Sequence, residues 1–212
     1  MSTTIRELEP KEVWNRFADI NAVPRPSKKE QKITAFMVDF GKKLGLETTS
    51  DAYGNVIIRK PATAGLEQKK PIILQSHLDM VCQKNNDTVF DFDNQGIETY
   101  IDGDWVRAKG TTLGADNGMG VAAIMAILES KTIAHPALEA LFTTDEETGM
   151  TGAQKLSNDA LKGEILLNLD TELDTEIEIG CAGGIDVSAY ADYKEEATPS
   201  DVVAYHIVVT GL

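Results

Sequence analysis

The sequence predicts an α/β fold, a mixed and largely parallel sheet sandwiched by helices. Three short apolar runs, at 71–78, 137–144 and 164–169, read as buried strands. Segments of helical periodicity precede and separate them. Strands alternating with helices are the pattern of a sheet covered on its faces by helices.

The elements follow in chain order. Residues 10–20 place Trp14, Phe17 and Ile20 on one helical face, and residues 29–44 do the same with Ile33, Phe36, Met37 and Phe40. Pro24 and Pro26 break the chain between them. A strand at 55–60 (NVIIRK) follows the turn signal Tyr53-Gly54, and 61–70 is a polar loop. After the strand at 71–78, "IETYIDGDWVRAKG" alternates on both sides of Asp102-Gly103-Asp104, which predicts a hairpin. The glycine-rich stretch "GTTLGADNGMG" opens into an apolar helix at 118–130. His135-Pro136 turns the chain into the second buried strand, and a short helix at 152–156 leads to the third. Residues 184–192 and 202–209 alternate like strands of another sheet. The last of these runs toward the final residue without a visible partner: either the chain is the front part of a longer protein, or an edge strand simply ends the fold. There is no internal repeat and no low-complexity tract.

Composition narrows the function. The chain has 212 residues, a net charge of −14 and 42% hydrophobic residues, which suits a globular fold with an ample core. So acidic a surface repels nucleic acid and anionic membrane, and both are set aside as partners. It tolerates cations, whether metal ions or the ammonium group of a small substrate. Two cysteines without a CxxC pattern, no signal-peptide pattern, and a longest apolar stretch of only 121–128 point to a soluble cytoplasmic protein. No serine-hydrolase elbow, P-loop or dinucleotide fingerprint occurs.

Four acidic or histidine-bearing sites sit where a buried strand ends or a strand turns into a helix. They are His77 with Asp79, Asp116, Glu146 with Glu147, and Asp170. That edge of an α/β sheet is where sites are built. One imidazole with several carboxylates and no thiolate pattern suits zinc, manganese or cobalt in a hydrolytic site. Asp79 is close enough to fix the tautomer of a ligating His77. Glu146 and Glu147, adjacent at the end of an extended strand, point to opposite sides, so that one holds metal and the other addresses a water. Each site alone has an ordinary reading. Asp116 could be a helix N-cap, the glutamates a solvated loop, and His77 a core histidine. The metal reading rests on their shared edge. His135 and His206 read as structural, and Cys82 and Cys181 as small buried residues.

At these positions "SHLDMV", "GTTLGADNGMGVA", "LFTTDEETGMTGA" and "NLDTE" closely resemble the di-zinc aminoacylase, carboxypeptidase and dipeptidase superfamily. Within it they are most similar to the bacterial aminoacyl-histidine (Xaa-His, carnosinase-like) dipeptidases. The resemblance implies two Zn2+ ions, with Co2+ or Mn2+ as substitutes. His77 would ligate one ion, Asp116 would bridge both, and Glu147 and Asp170 would each hold one. Asp79 would support His77, and Glu146 would be the general base and acid for attack by a zinc-activated water. It also implies a cis peptide after Asp116. Residues 1–183 would be the N-terminal part of the catalytic domain and 184–212 the start of an inserted lid domain. That lid commonly makes a homodimer. The family's remaining zinc ligand and a substrate-binding histidine match none of His77, His135 and His206, so this chain alone is expected to be inactive. A related deacylase or carboxypeptidase is one alternative, and a non-catalytic metal-binding fragment is another.

Overall fold

The computed structural model describes residues 4–171, 173, 175–180, 183–185 and 187–208. The chain divides into two units, Met1–Asp174 and Thr175–Leu212.

In the first unit, α1 (Lys11–Asn21) and α2 (Gln31–Lys43) match the expected helices. Phe17 and Ile20 of α1, and Ile33, Met37 and Phe40 of α2, are buried, as their periodicity requires. The sheet is built from β1 (Glu47–Ser50), β2 (Val56–Lys60), β3 (Ile72–His77), β6 (Leu138–Thr143) and β7 (Ile165–Asn168). Their spatial order is β1-β2-β6-β3-β7. β3 pairs in parallel with both β6 and β7, while β1–β2 and β2–β6 are antiparallel. β4 (Thr99–Asp102) and β5 (Trp105–Ala108) form the separate hairpin.

Helix α3 (Ala115–Glu129) is apolar nearly all round because α1 packs against it on one side and β3 on the other. Its Val121, Ile124, Met125 and Leu128 join Phe17, Ile58, Leu74 and Phe142 in the main core. On the opposite face of the sheet, Ile57, Ile73 and Leu141 meet Leu156, Ala160 and Leu161. α4 (Thr151–Lys155) lies where a short helix was expected. The Asp116–Asn117 peptide is cis, as the resemblance implied, and so is Glu9–Pro10.

Two expectations are corrected, and one strand was not anticipated. β7 is not a buried strand: Ile165, Leu166 and Leu167 are 41–52% exposed. It lies at one edge of the sheet, and among the described residues it pairs with β3 alone. An apolar run shows which residues seek cover, not whether cover is present. β1 was not anticipated, because its sequence Glu-Thr-Thr-Ser has no apolar alternation and is held by its ladder to β2. In the second unit, the strands expected at 184–192 and 202–209 are not formed among their described residues. Alternation supplies a face, but a strand persists through a ladder to a neighbour, and no described segment pairs with these. The described residues of that unit are exposed and carry neither helix nor strand, His206 included. Cys181 and residue 209 lie outside the described residues.

Candidate metal centre

The parallel register sets the site. His77 pairs with Thr143, and Gln75 with Asn168, so β3, β6 and β7 end along one edge. Asp79, Asp145 and Asp170 each lie two positions past such an end, and Glu146 and Glu147 follow Asp145. Gly114, at positive φ (69°), turns the chain so that Asp116 arrives over the same edge.

His77 is 1% exposed. Its Nδ1 lies 3.3 Å from Asp79 Oδ1 and 3.2 Å from the Asp79 carbonyl oxygen. Both are acceptors, so Nδ1 carries a hydrogen and Nε2 faces the cleft, where its lone pair becomes free once that nitrogen is deprotonated. Nε2 is 2.9 Å from Asp116 Oδ1, 3.7 Å from Asp170 Oδ1 and 3.9 Å from Glu146 Oε2. Asp79 is fully buried and accepts from Ser27 Oγ (2.8 Å), Glu146 N (3.0 Å) and Glu147 N (3.2 Å). One carboxylate therefore orients the imidazole and also anchors the turn that carries both glutamates.

That turn corrects the sequence argument about the glutamate pair. The strand ends at Thr143, and Asp145 takes positive φ (54°). Glu146 and Glu147 stand on a turn, and both bring a carboxylate oxygen into one group with His77. Their backbone alone does not split them into opposite faces.

The ligand atoms of His77, Asp116 and Asp170 lie within 4.8 Å of one another, as do those of His77, Glu146 and Glu147. His77 and Asp116 are at hydrogen-bond distance and both groups share His77, so the structure brings together every anticipated site residue. A cleft of about 530 Å³ opens over Asp116, Asn117, Glu146 and Asp170. Several carboxylates facing one imidazole repel one another, and a divalent cation relieves that repulsion. The donor set, one imidazole nitrogen that a metal would take deprotonated and several carboxylate oxygens, fits such a cation. His135 lies at the far end of β6, buried, with Nδ1 at 2.7 Å from the Pro136 carbonyl oxygen, in keeping with a structural role. Cys82 is half-buried, and burial pushes its thiol up.

The charges show the same crowding. Burial opposes a charged His77, but the hydrogen bond to Asp79 and the charges of Asp170 and Asp79 outweigh it and hold the ring at about 9. Burial would raise Asp79, but bonds from His77, Glu146 N and Ser27 bring it to about 2. Burial, with Asp116 and Glu146 nearby, pushes Asp170 up to about 6 against the pull of His77. Burial and Asp116 also push Glu147 upward.

For the metal-free protein the signs are definite. A ring raised from 6.5 to about 9 stabilises the fold below 6.5, and that support is lost as pH climbs through 9. A carboxylate lowered from 3.8 to about 2 stabilises above 3.8, and the support is lost as pH falls through 2. Asp170, raised to about 6, becomes a cost as it ionises through that pH. Denaturant unfolding of the metal-free chain is therefore expected to weaken steadily from about pH 6.5 to 9. Zinc should reverse the trend, because ligands bind metal deprotonated. Stability that is flat across this window, with and without zinc, would contradict the assignment.

Sequence reasoning missed the segment Pro24–Glu30. Arg25, 2% exposed, donates from Nη1 to the carbonyls of Leu78 (3.1 Å) and Asp79 (2.9 Å) and from Nη2 to that of Gly114. Burial pulls its guanidinium down to about 10, with Asp79 opposing, so it stays charged at neutral pH. Ser27 holds Asp79, and Glu30 Oε1 accepts from Asp145 N (2.9 Å). An arginine between two prolines, followed by a serine and a glutamate, was the available signal, but the partners of these side chains lie 52 to 115 residues away.

The signature of Peptidase family M28 matches residues 55–201, and the chain belongs to that family. Over 208 residues, 98% of its length, it is 46% identical to the cytosol non-specific dipeptidase of Escherichia coli (strain K12), of which it spans 43%. Its fold matches the aminoacylhistidine dipeptidase of Vibrio alginolyticus with a TM-score of 0.79 and 50% identity, covering 80% of this chain and 35% of that one. It also matches the aminopeptidase PepT of Bacillus cereus ATCC 10987, with a TM-score of 0.64 and 26% identity, covering 76% and 43%. The chain thus spans less than half the length of these relatives. These relatives are peptidases, and the family implies a metal cofactor. No helix among the described residues is long and apolar enough to cross a membrane.

Proposed function

We propose that the complete protein is a cytoplasmic di-zinc dipeptidase that hydrolyses unblocked dipeptides, with a preference for Xaa-His. The observation that carries this reading is the convergence of His77, Asp116, Asp170, Glu146 and Glu147 at one strand edge. The names of the relatives agree with it.

His77, Asp116 and Asp170 would hold one ion, and Asp116 and Glu147 would hold part of the shell of the second. When bound, the ions supply a water of lowered pKa and polarise the scissile carbonyl. The protein's own groups do the rest. Asp79 keeps Nδ1 of His77 protonated, so Nε2 would be the nitrogen left to hold a metal. Glu146, anchored through its backbone N–H to Asp79, takes the proton of the attacking water and passes it to the leaving amine as the C–N bond breaks. The acidic surface favours the free ammonium group of an unblocked dipeptide. Residues from about 184 onward would begin a lid that also pairs two copies of the protein.

The complete protein loaded with zinc is expected to cleave alanyl-histidine, to spare N-acyl amino acids, and to lose activity on chelation. Stoichiometric zinc without hydrolysis of any free dipeptide would reject the reading in favour of a binding module.

A further inference from the structure

We propose that Asn117 is a positioning residue for the metal centre: it holds Asp170 toward His77 and Asp116. This rests on the metal-site reading above. Asn117 is 5% exposed and sits in the non-helical first turn of α3 (φ −106°, ψ 30°). Its Nδ2 donates to the carbonyl of Leu169 and to Asp170 Oδ1 (2.8 Å). Two hydrogens meet two acceptors, so the amide has one orientation. Flipped, its oxygen would face two oxygens.

The opposite side of the amide is closely packed without a hydrogen bond. Asn117 Oδ1 and Ser76 Oγ are both buried without a partner among the described residues. Both border Gly120, where a Cβ would lie 2.5 Å from Ser76 Oγ, 2.5 Å from the Leu169 carbonyl oxygen and 2.8 Å from Asn117 Oδ1. Only a glycine lets α3 approach closely enough for Asn117 to reach the end of β7.

The chemistry explains the residue type. Asp170 and Asp116 are like charges facing the same imidazole nitrogen, at 3.7 and 2.9 Å. A lysine or arginine would hold it but would compete with a cation for its charge. A neutral amide holds one oxygen and leaves the charge in place. Because Asn117 follows Asp116 directly, one piece of backbone sets both carboxylates.

The test uses Asn117→Ala in the complete protein, with zinc titrated against a chromophoric chelator and Co2+ absorption as the second readout. The wild type is expected to take two equivalents. The variant should keep one tight and bind the other on the order of 10–100-fold more weakly, the usual loss for a residue that orients a ligand. The metal-free melting temperature should fall by only about 2–4 °C, because the two freed acceptors are half-buried and water reaches them. Unchanged affinity at both equivalents would overturn the proposal. So would an equal loss at both accompanied by a destabilised metal-free fold, which marks a merely structural role. Should the alanine variant fail to fold, Asn117→Asp decides on the same criteria, since it keeps the shape and replaces the donor by an acceptor. A wild type that binds no metal would sink the metal-site reading itself and this proposal with it.

Discussion

Glu146→Gln in the complete protein is expected to lower turnover by about 10²–10⁴-fold, the range for a lost general base, with metal content unchanged. Glutamine keeps the shape of the side chain and the backbone bond to Asp79 Oδ1, so the turn should not move. Only the proton acceptor is removed. The companion substitution, Glu147→Gln, should weaken metal binding. The contrast matters because the geometry puts both glutamates in one group with His77. Steady-state rates together with metal analysis read the difference. If Glu146→Gln loses metal, Glu146 is a ligand and the two roles are exchanged. If it keeps both metal and activity, the base lies elsewhere.

The parts of this fold that were legible in the sequence are those whose signal is local. The strands at β3 and β6 carry apolar runs because both faces are covered, and α3 is apolar all round because it lies between α1 and the sheet. The site residues were legible because each acid interrupts such a run at its end. The rest depended on partners that the sequence does not display. β7 carries the same apolar signal as β6 and yet is exposed, an edge strand that among the described residues has β3 alone beside it. β1 is polar throughout and exists through its register with β2. The left-handed turn at Asp145, which brings both glutamates to His77, has no glycine to announce it. Arg25 and Asn117 act on main-chain carbonyls, and a carbonyl carries no sequence signature at all.

Arg25→Ala is expected to destabilise the chain by about 3–5 kcal/mol, in the exceptional range for a point substitution. One guanidinium joins the ends of two segments that carry His77, Asp79 and Asp116, through the carbonyls of Leu78, Asp79 and Gly114. Each buried acceptor left bare costs about 1–3 kcal/mol, and water entering the vacated space recovers part of the sum. Burying the charge is itself a cost, visible in the guanidinium's fall to about 10. That cost decides what a second variant should show. Arg25→Met fills the space with an apolar chain and removes the buried charge, but still leaves three carbonyls unpaired. It should fall near Arg25→Ala if the hydrogen bonds dominate, and near the wild type if packing and charge burial do. Arg25→Lys should lie between, because an ammonium cannot reproduce the planar fork that reaches both strand end and turn. Urea unfolding at fixed pH reads all three, provided the m-value is constant across the series. A loss below about 1 kcal/mol for Arg25→Ala, less than one bare acceptor costs, would show that the loop from Pro24 to Glu30 is not what holds this edge of the sheet together.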